Sequence, residues 1–251
     1  LRERFFPALN FQTGITLIRS PMGTGKTEGA VSLVEECKAR GLSVLVIGHR
    51  RSLLRTVAQR LGLDLYFEIV ADDEGASQFR AIAVTDGYAI SLDSVPTRLQ
   101  PDVHKFDVII VDEAEQVIRH LAGGTLKEKR RLAFETFGHY VRVASAVYLL
   151  DAHLDTLTLS FVLRTVDPST AVRFIVNEPP VELRQYELMP TRESVLGKLA
   201  AAVAAGEKCY VATNSKNRAI ATALWLQEHW PDRRVVAVTH DNAQQPKVQD
   251  L

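Results

Sequence analysis

The sequence predicts an α/β fold, a mostly parallel sheet flanked by helices, on three observations. Short β-branched runs alternate with longer amphipathic stretches, the pattern of parallel strands joined by crossover helices. Several runs, DVIIVD and AVYLLD among them, are almost uniformly apolar, as strands must be when helices cover both faces of their sheet. One strand, ITLIRS, passes straight into PMGTGKT and then into the helix-compatible EGAVSLVEECKAR.

In chain order, strands are expected at 15–20, 44–49, 67–70, 81–85, 107–112 and 146–151. Helices are expected near 26–40, 51–61, 93–99, 113–120, 127–142 and 155–163. The texture then changes. Pro168, Pro179, Pro180 and Pro190 interrupt ladders and helices, which marks a linker or crossing segment. A second α/β unit comes next, with helix 191–205, strand 208–214, helix 217–229 and strand 234–240. Domains of 1–180 and 181–251 are therefore expected, the second only partial. The chain starts at Leu1 and its pattern breaks off at Leu251, so an excised portion of a longer protein is expected.

Composition narrows the function classes. At 46% hydrophobic and 24% charged residues the chain is an ordinary globular one. Lys+Arg and Asp+Glu are 30 each, so no global basic field exists and any nucleic-acid contact must use local patches. Cys37 and Cys209 form no CxxC pair, which argues against zinc and a disulfide framework. A reducing, intracellular setting is expected: the cytoplasm of a bacterium or an infected cell, or the nucleus. No run reaches the roughly 18 to 20 apolar residues of a membrane span, so no membrane role is expected. The seven histidines show no HxxxH or HxH spacing.

The strand, loop and helix around SPMGTGKT give the motif its meaning. Backbone N–H groups of Gly23, Thr24, Gly25, Lys26 and Thr27 can converge on phosphate oxygens, aided by the positive end of the adjoining helix. Ser20 and Met22 belong to the same loop, and Ser20 stands where GxxxxGK[ST] has its first glycine. Lys26 would reach the β- and γ-phosphates of ATP, and the Thr27 hydroxyl would ligate Mg²⁺. The partner is DVIIVDEAE, a strand ending in adjacent carboxylates. Asp112 can hold Mg²⁺ while Glu113 orients and deprotonates the attacking water. Taken alone, the two acids could simply open a helix.

With GTGKT and DEAE together, the chain resembles the motor core of a superfamily-two helicase, a RecA-like P-loop NTPase, over most of residues 12–163. SPMGTGKT, VLVIGHRRSLLRTVAQRL and SLDSVPTRL resemble the herpesvirus-type origin-binding-protein helicases and related plasmid or phage replication helicases. The resemblance implies ATP and Mg²⁺ as cofactors and nucleic acid as partner, DNA favoured over RNA, with other replication proteins as further candidates. It implies strand contacts by His49, Arg50 and Arg51 in GHRRSLL, and by Ser94, Thr97 and Arg98 in SLDSVPTRL. A solvated helix start and an ordinary capped helix are the plain readings of these two segments.

LLDAHLD occupies the place of the family's coupling motif, but Asp151, Ala152 and His153 replace its Ser-Ala-Thr, so Asp151 and His153 are the coupling candidates. KCYVATNSKNRAIATAL resembles the start of the other RecA-like domain and offers Thr213 and Asn214 for phosphate contact; a plain αβ turn explains them equally. Gln12, in FQTG, is implied as an adenine contact. No QxxRxxR-like segment, the usual arginine-finger carrier, occurs in the sequence, so these residues alone are expected to hydrolyse ATP weakly. The leading reading is a replicative helicase or translocase; the alternatives are a P-loop ATPase that switches or remodels protein, and a scaffold that keeps only the fold.

Overall fold

In the computed structural model, residues 1–66, 87–123, 126–180, 186–239 and 242 are described. The expected strands 67–70 and 81–85 lie outside them. Among the described residues, seven strands make one all-parallel sheet: β1 (Gly14–Arg19), β2 (Val44–Gly48), β3 (Asp64–Leu65), β4 (Gly87–Ser91), β5 (Val108–Asp112), β6 (Ala146–Asp151) and β7 (Val172–Val176). Their order is β3-β4-β2-β5-β6-β1-β7. Four expected strands are present within a residue or so. The others had weak signals: β3 has two residues, GYAIS carries little apolar pattern, and VRFIV, at the sheet edge, is only half-buried.

The period of two along each strand sorts the core into two layers. Ile15, Leu17, Leu45, Ile47, Ile109, Val111, Val147 and Leu149 face one layer. Ile18, Val44, Val46, Val108, Ile110, Ala146, Tyr148 and Leu150 face the other. The first layer is closed by α4 (Ala114–Ala122), α5 (Arg130–Val143) and α6 (Thr156–Thr165), the second by α1 (Lys26–Ala39) and α2 (Arg51–Leu61). Covering both faces is what made the strands uniformly apolar. A 3₁₀ turn, Leu92–Ser94, leads into the short α3 (Val95–Arg98) in the place of the expected helix 93–99. At Gly87 the backbone φ is +116° and an added Cβ would lie 2.0 Å from the Val44 carbonyl oxygen, so only glycine can start β4 against β2.

Two compact units divide the chain, Leu1–Val181 and Glu182–Leu251. In the second, α7 (Arg192–Ala204) and α8 (Lys216–His229) are helical as expected, with Thr191 and Ser215 hydroxyls as N-caps. The expected strands 208–214 and 234–240 are corrected: no ladder forms in either among the described residues, which exclude His240. Tyr210 is 94% exposed and Val238 51%. β-branched residues favour an extended chain, but a strand exists only when its N–H and C=O groups find a neighbour.

Candidate nucleotide site

The parallel sheet brings the carboxyl ends of β5, β6 and β1 side by side, and with them Asp112, Asp151 and Ser20. This is the edge at which open α/β sheets bind ligands. After β1 the chain turns through Gly23 (φ +75°) and Gly25 (φ +78°), with Gly25 capping α1 in the left-handed region. No heavy atom crowds a Cβ at Gly23, so conformation rather than space demands glycine there. Lys26 Nζ folds back and donates to the Ser20 and Pro21 carbonyls at 2.6 and 3.0 Å. Burial lowers the Lys26 pKa, opposed by the negative charges of Glu113, Asp112 and Asp151. Met22 is 75% exposed at the loop tip, and Thr27 is half-buried in the first turn of α1.

Ser20 is fully buried, and its hydroxyl is 2.7 Å from the Thr24 hydroxyl, which donates to the Pro21 carbonyl at 2.8 Å. The departure from glycine is thus built into the loop as a hydrogen-bonded side chain.

Asp112 ends β5, and its carboxyl is pushed up to about 6, first by burial and then by Glu113 and Asp151. Backbone hydrogen bonding at Glu113 and the Lys26 charge oppose that rise. Glu113 is the one non-glycine residue with positive φ among the described residues (φ 53°, ψ 49°), where it caps α4. A glutamate held there costs on the order of 1–3 kcal/mol, and such strain clusters at functional sites. Among the described residues no three His, Cys, Asp or Glu side chains gather as a metal cluster. A Mg²⁺ site of the phosphate-bridging kind needs none, since Mg²⁺ keeps waters and takes one or two protein ligands with substrate oxygens. A buried carboxylate facing the charges of Glu113, Asp151 and Lys26 offers such a ligand.

Asp151 joins the pieces. Its backbone carbonyl accepts the Ser20 N–H at 3.0 Å, and its buried carboxylate accepts the Glu115 N–H and the His153 N–H, both at 2.8 Å. Glu115, 4% exposed, takes the Thr158 hydroxyl at 2.6 Å and the Asp155 N–H at 3.3 Å. Arg119 Nε lies 2.8 Å from Glu115 Oε1 in an ion pair whose N–H is not aligned for a hydrogen bond, and Arg119 also pairs with Asp155. The His153 ring is exposed and only its N–H enters the network.

The nucleic-acid candidates divide. His49 and Arg50 come after β2, and Arg50, exposed, caps α2. Arg51 begins α2. The His49 ring packs edge-on against His120 at 4.8 Å, and His120 Nε2 is 2.7 Å from Asp93 Oδ1. Burial, with His120 and Arg50 adding, lowers the His49 pKa. Thr97 and Arg98 are exposed, Arg98 over the Tyr66 ring, but Ser94 is 6% exposed and spends its hydroxyl on Ser91 at 3.0 Å. Ser94 is therefore corrected from a surface contact to an internal brace. In the second unit Thr213 and Asn214 are exposed, and the Thr213 hydroxyl accepts the Ser215 N–H at 3.3 Å.

Gln12 is not brought to the site. It precedes β1, at the end of the sheet opposite Ser20, and about six strand residues at roughly 3.3 Å each put some 20 Å between them. Its N–H donates to the Tyr148 hydroxyl instead, at 2.7 Å. What does reach the loop is the segment before it: the Phe6 N–H donates to the Thr24 carbonyl at 2.6 Å, and Phe6 and Leu9 are buried in the second core layer. Sequence reasoning missed this strap, Asn177 and the Glu115–Arg119–Asp155–Thr158 network. Glu115 and Arg119 are four apart on one helix, but the contacts that join the rest span distant segments and leave no spacing signal.

The fold is that of a RecA-like helicase domain. The structure of Mycobacterium smegmatis helicase Lhr bound to ssDNA and AMP-PNP superposes with a TM-score of 0.57 at 16% identity, over 94% of this chain and 36% of that one. Mss116p bound to ssRNA and AMP-PNP gives 0.55 at 11% identity, over 88% and 50%. A sequence model described as origin of replication binding protein matches residues 4–181, and the chain belongs to that family. The replication origin-binding protein of varicella-zoster virus (strain Dumas) is 27% identical over 128 residues, 48% of this chain and 14% of that protein. That of bovine herpesvirus 1.1 (strain Cooper) is 30% identical over 125 residues, 47% and 14% respectively. An uncharacterized protein of Picosynechococcus sp. is 27% identical over 253 residues, 92% of this chain and 24% of that protein. The chain spans about a quarter or less of the length of these curated relatives.

Proposed function

We propose that this chain is the ATP-binding portion of a nucleic-acid helicase or translocase acting in DNA replication. The observation that carries the reading is the meeting, at one sheet edge, of a glycine loop bearing Lys26 with the carboxylates of Asp112, Glu113 and Asp151. In this reading the N–H groups of Gly23 to Thr27 cradle the β- and γ-phosphates, and Lys26 exchanges its two carbonyl partners for phosphate oxygens. Thr27 and Asp112 hold Mg²⁺, which supplies neutralisation of the charge on those phosphates. Glu113 orients the attacking water and takes its proton. Asp151, tied to both the loop and the DEAE helix, carries displacement between them. Arg50, Arg51, Thr97 and Arg98 meet the strand backbone.

Residues 182–251 are read as the start of a second RecA-like domain, with Thr213 and Asn214 as its strand contacts. Hydrolysis by residues 1–251 alone is proposed to be slow. The setting is intracellular, with other replication proteins as partners; among the described residues no helix is long and apolar enough to cross a membrane.

Two variants test the site. Lys26→Ala is expected to abolish the rise in melting temperature caused by Mg-ATP, whereas Glu113→Gln keeps that rise and stops cleavage. Equal responses of both variants to Mg-ATP would overturn the assignment. If neither single- nor double-stranded DNA changed the turnover of the longer protein, the protein-remodelling ATPase would replace the motor reading.

A further inference from the structure

We propose that Asn177 is a positioning residue for the P-loop, acting through a directed relay of hydrogen bonds to Ser20, Thr24 and the Pro21 carbonyl. The inference rests on the reading that this loop holds the phosphates of ATP.

Asn177 comes directly after β7, is 2% exposed, and uses both ends of its amide. Its Oδ1 accepts the Glu3 N–H at 2.9 Å, and its Nδ2 donates to the Glu3 carbonyl at 2.9 Å and to Ser20 Oγ at 3.2 Å. The pairing with Glu3 fixes which end is which: the flipped amide would set donor against donor and acceptor against acceptor. Its own N–H donates to the Arg19 carbonyl at 2.8 Å, so backbone and side chain both hold the end of β1.

Elimination gives the direction. The Nδ2 can only donate, so Ser20 Oγ accepts from it and its hydroxyl proton is left for Thr24 Oγ1 at 2.7 Å. The Thr24 proton in turn goes to the Pro21 carbonyl at 2.8 Å. Every donor in the chain has one acceptor and no hydroxyl is idle. Bonds linked in this way polarise one another in a dry site.

The relay passes through Thr24, whose peptide faces the strap. The Thr24 carbonyl is taken by the Phe6 N–H at 2.6 Å on the strap side. In a trans peptide the N–H points opposite to the C=O, so the Gly25 N–H is turned away from the strap. Glu3 and Phe6 belong to one strap, and Asn177 holds it at Glu3 while Thr24 holds it at Phe6. Asn177 therefore sets the loop from two directions, and a serine in the first glycine position becomes useful because only its hydroxyl can pass the bond along.

The test uses residues 1–251, with Mg-ATP titrated calorimetrically and loop amides followed by hydrogen exchange. Asn177→Asp keeps the acceptor for Glu3 N–H and removes the donor to Ser20. It is expected to weaken Mg-ATP binding about tenfold, as is Thr24→Val, while Thr24→Ser binds within about twofold of the parent. The double variant is expected to be no weaker than either alone, because both break one relay. Gly25 and Lys26 amides should exchange about tenfold faster in Asn177→Asp, with amides of β2 unchanged. Asn177→Asp and Thr24→Val binding as the parent does, with loop exchange unchanged, would overturn the relay. If the parent chain binds no Mg-ATP, the nucleotide reading fails and the exchange rates alone decide the relay. Should Asn177→Asp not fold, the contrast of Thr24→Val with Thr24→Ser decides it.

Discussion

The Asp151 carboxylate accepts the Glu115 N–H at 2.8 Å while the Asp151 carbonyl accepts the Ser20 N–H at 3.0 Å, so one residue at the end of β6 grips the loop on one side and the DEAE helix on the other. Replacing Asp151 by Asn puts an NH₂ where two backbone donors converge. Stability is expected to fall by about 2 kcal/mol, the range for hydrogen bonds to a charged group. Urea unfolding followed by circular dichroism measures this; a loss under about 0.5 kcal/mol would mean the carboxylate is not the clamp described.

Glu113 sits where glycine would be at ease. Glu113→Gly is expected to raise stability by about 1 kcal/mol while removing ATP cleavage, the signature of a strained functional residue. Glu113→Gln should leave stability within about 0.5 kcal/mol. Thermal unfolding of the three proteins without nucleotide checks the order, and a destabilised glycine variant would show that the side chain, not the backbone, governs the site.

The raised Asp112 carboxyl gives a pH dependence with a definite sign. An unfolded Asp titrates near 3.9, and folding lifts Asp112 to about 6, so between those values the folded state holds the extra proton. Stability from this group is therefore fully present below about pH 4 and is lost as pH rises through about 6. In EDTA, Asp112→Asn should flatten that part of the profile and be more stable than the parent at pH 7. Urea midpoints at pH 4, 5, 6 and 7 make the comparison, and parallel profiles for both proteins would count against it.

Two glycines separate conformation from crowding. Gly41 has φ +69° and no heavy atom within 4 Å of an added Cβ, so Gly41→Ala should cost about 1–2 kcal/mol. Gly87 adds a contact at 2.0 Å with backbone that cannot yield, and Gly87→Ala should cost more than about 3 kcal/mol or prevent folding. Expression yield and chemical denaturation report both; equal costs would contradict the close approach of β4 to β2.

Strand contact by the α2 start can be told from internal bracing. Arg50→Ala should weaken single-stranded DNA binding and reduce the salt slope by about one. Ser94→Ala should leave the slope unchanged and lower stability by about 1 kcal/mol. Anisotropy titrations between low and moderate salt resolve the two, and a changed slope for Ser94→Ala would return it to the surface.

The central strands and the two motifs are readable because their signals are local: apolar runs of five or six residues, glycines three and five places after Ser20, paired acids closing a strand. The edge strands are not, since Arg173 inside VRFIV and a two-residue β3 blur any alternation. Gln12 is misplaced because nearness in sequence to the loop is not nearness in space: β1 carries the chain from one end of the sheet to the other. Ser94 looks like a surface hydroxyl because SLDS fits a cap and a contact equally well; only its bond to Ser91 decides. Asn177 has no local signal at all.

The likeness to the origin-binding family ends at Val181, where the first compact unit also ends, and Asn177 stands four residues before it. The inherited piece thus carries its own fastening for the loop. The matched residues hold both ends of that fastening, Ser20 and Asn177, so a cut before Val172 would strip away β7 and unlatch Ser20.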